Sequence, residues 1–92
     1  MATEEFVAGE QFQQVREFVR EELCESNQLE KDAFQMSERV LVRGGSPCGF
    51  YFCIYGPRSV RLTAVWDLTT GNVFFYDSLG RRAMSCPAPR AA

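Results

Sequence analysis

The hydrophobic period of this chain changes once, and that change decides what it can fold into. Phe12, Val15, Phe18, Val19 and Leu23 recur at steps of three and four, while Glu17, Arg20, Glu21, Glu22 and Glu25 take the other faces. This is the pattern of an amphipathic helix with one stripe to bury. From Phe34 the step is two, with Phe34, Met36, Val40 and Val42 alternating with Gln35, Ser37, Arg39 and Arg43, as in a strand with one wet side.

The helix is predicted over residues 9–25. Gly9 serves as its cap, Glu10 suits the positive end of its dipole, and the turn-forming pair Ser26-Asn27 stops it. Strands are predicted over 34–43, 50–55, 59–67, 73–77 and 81–86. The breaks between the strands are Gly44-Gly45-Ser46-Pro47, Gly56-Pro57, Thr69-Thr70-Gly71-Asn72 and Asp77-Ser78-Leu79-Gly80. Connections this short cannot hold crossover helices, so the sheet is antiparallel. The expected fold is α+β: one N-terminal amphipathic helix packed on a four- to five-stranded antiparallel meander, with a loose tail over 87–92. In outline this is similar to a cystatin-like helix grip, a likeness of architecture that implies no function.

Ninety-two residues leave room for one domain, and 46% hydrophobic content with 24% charged residues is a folding composition. The chain has no histidine, the commonest general acid–base residue near neutral pH and the commonest metal ligand. No catalytic residue, metal site or cofactor is expected, and the chain reads as a non-enzymatic protein. Met1 to Glu5 are acidic where a signal peptide is basic, and no apolar run approaches the ~20 residues of a membrane span. A cytoplasmic protein without membrane contact is the expectation.

Cys24, Cys48, Cys53 and Cys86 lack the spacing of a disulfide scaffold or of a paired zinc site. They are expected as reduced thiols filling the core. A thiol-dependent enzyme would use Cys48, near Arg43, or Cys53, and needs a thiol of lowered pKa.

A single helix covers only one side of a sheet. The even positions Val40, Val42, Phe50, Phe52, Ile54, Val60, Leu62, Ala64 and Trp66 supply the side that the helix caps. The opposite side carries Leu41, Tyr51, Cys53, Tyr55 and Val65, with either Phe74 and Tyr76 or Val73 and Phe75 according to the register of the fourth strand. An uncovered apolar face of several hundred Å² usually marks a partner surface. Leu41, Tyr51, Cys53, Tyr55, Val65 and Tyr76 are therefore the candidate interface, with a homodimer or another protein as partner. The alternative is that Phe6 and Val7, the 29–34 linker or the C-terminal tail folds over it.

Charge separates along the chain. Residues 1–38 hold ten acidic and three basic side chains, and residues 39–92 hold seven arginines against Asp67 and Asp77. An acidic helix against a neighbour's basic sheet makes complementary patches. Arginines beside aromatics on a sheet also suit single-stranded nucleic acid or another anion, with Arg43, Arg58, Arg61, Arg81 and Arg82 as the candidate residues. The overall pI near 5.1 weighs against a nucleic-acid footprint.

The stretch Gly56-Pro57-Arg58-Ser59-Val60-Arg61-Leu62-Thr63-Ala64-Val65-Trp66, followed by Val73-Phe74-Phe75-Tyr76-Asp77-Ser78-Leu79-Gly80-Arg81-Arg82, resembles a pattern in short uncharacterised planctomycete-type bacterial proteins. It spans about a third of the chain. The resemblance implies a bacterial, cytoplasmic origin and carries no activity with it.

Overall fold

In the computed structural model, residues 9–30 and 33–89 are described. One helix, α1 (Gly9–Ser26), precedes five strands: β1 (Met36–Arg43), β2 (Ser46–Tyr55), β3 (Arg61–Asp67), β4 (Asn72–Tyr76) and β5 (Arg82–Pro87). The strands lie in sequence order, each antiparallel to the next, so the sheet is the expected meander with α1 across one side.

The helix ends where Ser26-Asn27 predicts, by a different use of the residues. Gln28, not Asn27, takes the left-handed conformation (φ 57°). The Leu29 N–H donates back to the Cys24 carbonyl at 2.8 Å, and the Gln28 N–H to Glu25 at 3.3 Å. This is the double closure that satisfies orphan carbonyls at a helix end. Asn27 contributes through its side chain, whose Nδ2 donates to the Leu23 carbonyl at 2.8 Å.

The stripe of α1 meets the sheet over β2 and β3. Val15, Val19, Phe52, Ile54, Ala64 and Val73 are wholly buried there, and Leu23, Cys24, Met36, Phe50, Leu62, Trp66 and Phe75 nearly so. Aromatic rings knit the two layers: Phe12 lies 5.0 Å from Phe50, Phe50 stacks on Trp66 at 5.5 Å, and Phe18 meets Phe75 edge-on at 5.9 Å. At one margin Arg16 Nε donates to both oxygens of Glu38 on β1, at 3.3 and 3.2 Å, tying helix to sheet.

Two parts of the expected helix-side face are corrected. Val60 lies outside β3, in the turn after the 3₁₀ segment Pro57–Ser59, where its N–H and C=O bond to Pro57 and Gly56. Val42 sits beyond a register shift between Leu41 and Val42, and is 59% exposed. β2 also begins earlier than predicted. Gly44 and Gly45 are both left-handed (φ 59° and 81°) and make a two-residue turn, so Ser46 pairs directly with Arg43. Pro47, the residue that reads as a strand breaker, is accommodated at the irregularity opposite Val42. Gly49 is required by contact: a Cβ there would stand 2.6 Å from the Trp66 carbonyl oxygen.

The described end of the C-terminal segment, Ala88 and Pro89, is bonded to the body of the domain. The Ala88 N–H donates to the Gly71 carbonyl at 2.9 Å, and the Pro89 carbonyl accepts from Gln11 Nε2 at 3.4 Å.

Candidate functional site

The side of the sheet turned away from α1 follows from the cross-strand register. One row runs Arg39, Tyr51, Val65, Phe74, Ser85 from β1 to β5, and the next runs Ser37, Cys53, Thr63, Tyr76, with Arg82. Tyr55 and Arg61 form a third pair at the end of β2 and β3, and Leu41 flanks the first row. The register of β4 is thereby decided. Val73 and Phe75 are buried under the helix, and Phe74 and Tyr76 belong to the open side.

Six expected interface residues, Leu41, Tyr51, Cys53, Tyr55, Val65 and Tyr76, therefore share this face. Among the described residues no second layer covers it. Leu29, Phe34 and Ala88 pack against the helix-side core, so the described parts of the linker and tail go to the other side. Phe6 and Val7 lie outside the described residues.

The face is not uniformly apolar. Arg39, Arg61 and Arg82 are interleaved with its aromatics, and no carboxylate stands in its two central rows. The Arg82 guanidinium lies over the Phe74 ring, 4.4 Å from its centroid. The Tyr55 side chain, then Tyr51, favour the charged form of Arg61 and hold its guanidinium still more firmly protonated. Burial pushes the Tyr51 hydroxyl above the ordinary tyrosine value, as does the neighbouring Cys53, while Arg61 opposes the rise. Cys53 is 3% exposed although no layer lies over it. Together with Ser37, Glu38, Arg39 and Leu41 these residues line a groove of about 340 Å³ over β1 and β2, reaching Arg61 on β3.

The five arginines predicted to bind an anion divide by position. The β2–β3 and β4–β5 turns lie at one end of the sheet, which brings Arg58, Arg61, Arg81 and Arg82 to that end. Arg43 stands at the opposite end, beside the Gly44-Gly45 turn, apart from the other four. Arg81 is engaged by Asp77, with Nε 3.6 Å from Oδ2. Asp77 Oδ1 accepts the N–H groups of Leu79 and Arg81, each at 2.9 Å. Those bonds, led by the one from Arg81, hold the Asp77 carboxyl below its ordinary value.

None of the four cysteines forms a disulfide. Cys24 fills the core as expected, whereas the buried Cys53 belongs to the open side. Burial, with Glu22 nearby, pushes the Cys86 thiol up, away from nucleophilic character. Among the described residues no three His, Cys, Asp or Glu side chains gather as a metal site, and no helix is long and apolar enough to cross a membrane.

Fold and face together define a helix-on-sheet α+β domain with one uncovered arginine–aromatic sheet surface. Compared with family models, curated proteins and solved structures, the chain matches none of them.

Proposed function

We propose that the protein is a small non-enzymatic association module whose working surface is the open sheet face, and that its partner is a further copy of the same chain. The observation that carries this reading is the uncovered row Tyr51, Val65 and Phe74 across the three central strands, flanked by Arg39, Arg61 and Arg82, with Asp67 the carboxylate in the adjoining row. Charge supports self-association in a particular sense. The outward side of α1 carries the exposed Glu10, Glu17, Glu21 and Glu25, so the helix side of one copy complements the sheet side of the next. Sheet against sheet sets arginine opposite arginine, so the favoured contact is helix on sheet, with two copies the smallest such assembly.

Light scattering after size exclusion tests this. A mass above the monomer is expected at low salt, falling as salt rises and falling on Tyr51→Glu or Arg61→Glu. A monomer under every condition, or an oligomer indifferent to both substitutions, overturns it. Single-stranded nucleic acid is the second reading, supported by the alternation of arginine with tyrosine and phenylalanine. It is the weaker because Arg82 already occupies a ring face of Phe74 on which a base would stack. It predicts salt-sensitive retention on single-stranded oligonucleotides.

A further inference from the structure

At the end of the sheet where the β2–β3 and β4–β5 turns lie together, Tyr55, Arg58, Ser59, Val60, Arg61 and Ser78 line a notch of about 480 Å³. That is within the size range of small-ligand clefts. Its lining combines two guanidinium groups with three hydroxyl-bearing side chains and includes no carboxylate. We propose that this notch binds a doubly charged oxyanion, a phosphate monoester, whose organic part rests against the Tyr55 ring.

Three observations converge. First, Asp77, which stands in the adjoining turn, is consumed there by the Leu79 and Arg81 N–H groups and by the Arg81 side chain. It leaves the positive charge of Arg58 and Arg61 unopposed within the notch. Second, Tyr55 and Arg61 are cross-strand partners at the end of β2 and β3, so the ladder fixes the backbone from which one of the two guanidiniums reaches the notch beside the Tyr55 ring. Planar guanidinium forks match phosphate oxygens in pairs. Third, the tip that presents Arg58 is strained. Arg58 and Ser59 are consecutive non-glycine residues in the left-handed region (φ 61° and 62°), a conformation that costs roughly 1–2 kcal/mol per residue and that Asn-Gly adopts far more readily. Strain of this kind concentrates at ligand-binding positions. Tyr55, 59% exposed, and Val60, 36% exposed, provide the apolar wall. The notch shares Tyr55 and Arg61 with the open face, while Arg58, Ser59, Val60 and Ser78 lie in the turns outside the rows of that face.

The experiment is a titration of the ¹⁵N-labelled protein with inorganic phosphate and with phenyl phosphate, followed by amide shifts. Saturable shifts are expected at Arg58, Ser59, Arg61 and Ser78, with phenyl phosphate the tighter of the two. Arg58→Asn removes the charge yet suits the left-handed conformation, and is expected to weaken binding roughly tenfold or more. Arg81→Ala, which alters a residue held by Asp77, is expected to leave it within about twofold. The proposal is overturned if neither phosphate gives saturation, if shifts appear equally at Arg39 and Arg43, or if Arg58→Asn binds as the parent does. Shifts at Arg58, Ser59 and Ser78, which lie in the turns, report phosphate binding separately from association, and of the four reporters Arg61 alone is shared with the open face.

Discussion

The two sides of the sheet are built from the same alternating strands, yet they bury their side chains by different means. Under α1, burial comes from a second layer: Phe52, Ile54, Leu62, Ala64 and Val73 are at most 1% exposed. On the open side it comes from neighbours on the same surface. Cys53 is sealed with Tyr51, Tyr55 and Arg61 around it, and Phe74 lies beneath the guanidinium of Arg82. Long side chains with charged ends can lay their apolar stems and faces over rings while their heads stay in water. The contrast teaches that an uncovered sheet need not be bare. On the edge strands the helix does not reach far enough: Val40 and Val42 on β1 and Met84 on β5 are exposed. A helix ~10 Å wide cannot span five strands set ~4.8 Å apart.

Truncation of a ring on each side is the strongest way to break this comparison. Phe52→Ala is expected to lower unfolding free energy by about 3–5 kcal/mol in urea denaturation. Phe74→Ala is expected to cost about 1–2 kcal/mol, as a half-buried ring with one cation over it. Equal losses would mean that the open side serves stability and not association. Gly49→Ala tests the close approach of β2 to β3 and is expected to cost roughly 1–3 kcal/mol, because backbone must move away from the Trp66 carbonyl. A parental midpoint would show that the strands are not so close.

Replacing Arg58-Ser59 by Asn-Gly is expected to act in the opposite direction, stabilising the chain by about 1–2 kcal/mol through relief of the left-handed turn. The same variant is expected to lose phosphate shifts, which separates the strain of the tip from its chemistry. The smallest effect concerns pH. The folded chain holds the Asp77 carboxyl below its ordinary value, so its charge contributes stability fully above the usual aspartate pKa of about 3.9, and the contribution fades as pH falls through the lower folded value. Asp77→Asn keeps the acceptor oxygen and removes the charge. The gap between parent and variant denaturation midpoints is expected to be present near neutrality and to close below pH ~4; a gap constant with pH would contradict this role.

Much of the architecture is legible before any coordinates. The change of period after Leu23 separates helix from sheet, the short breaks force antiparallel pairing, and Tyr51, Cys53, Tyr55 and Val65 fall on one side by parity alone. The failures have local causes. Pro47 reads as a breaker, but an irregularity opposite Val42 admits it into β2. Val60 continues the alternation in letters while its backbone closes a turn. Phe74 and Phe75 are indistinguishable by composition, so only the pairing of β3 with β4 assigns them to sides.

Side-chain periodicity and turn chemistry are local properties, and the sequence by itself determined the elements, their order and the two-sided character of the sheet. Which arginines meet was decided by tertiary structure alone. Arg58, Arg61 and Arg82 come to one end because three strand reversals superimpose distant turns, while Arg43, with the same letter and charge, is carried to the other end. Contact between groups far apart along a chain depends on register and on the reach of neighbouring side chains, and neither is encoded within any one segment.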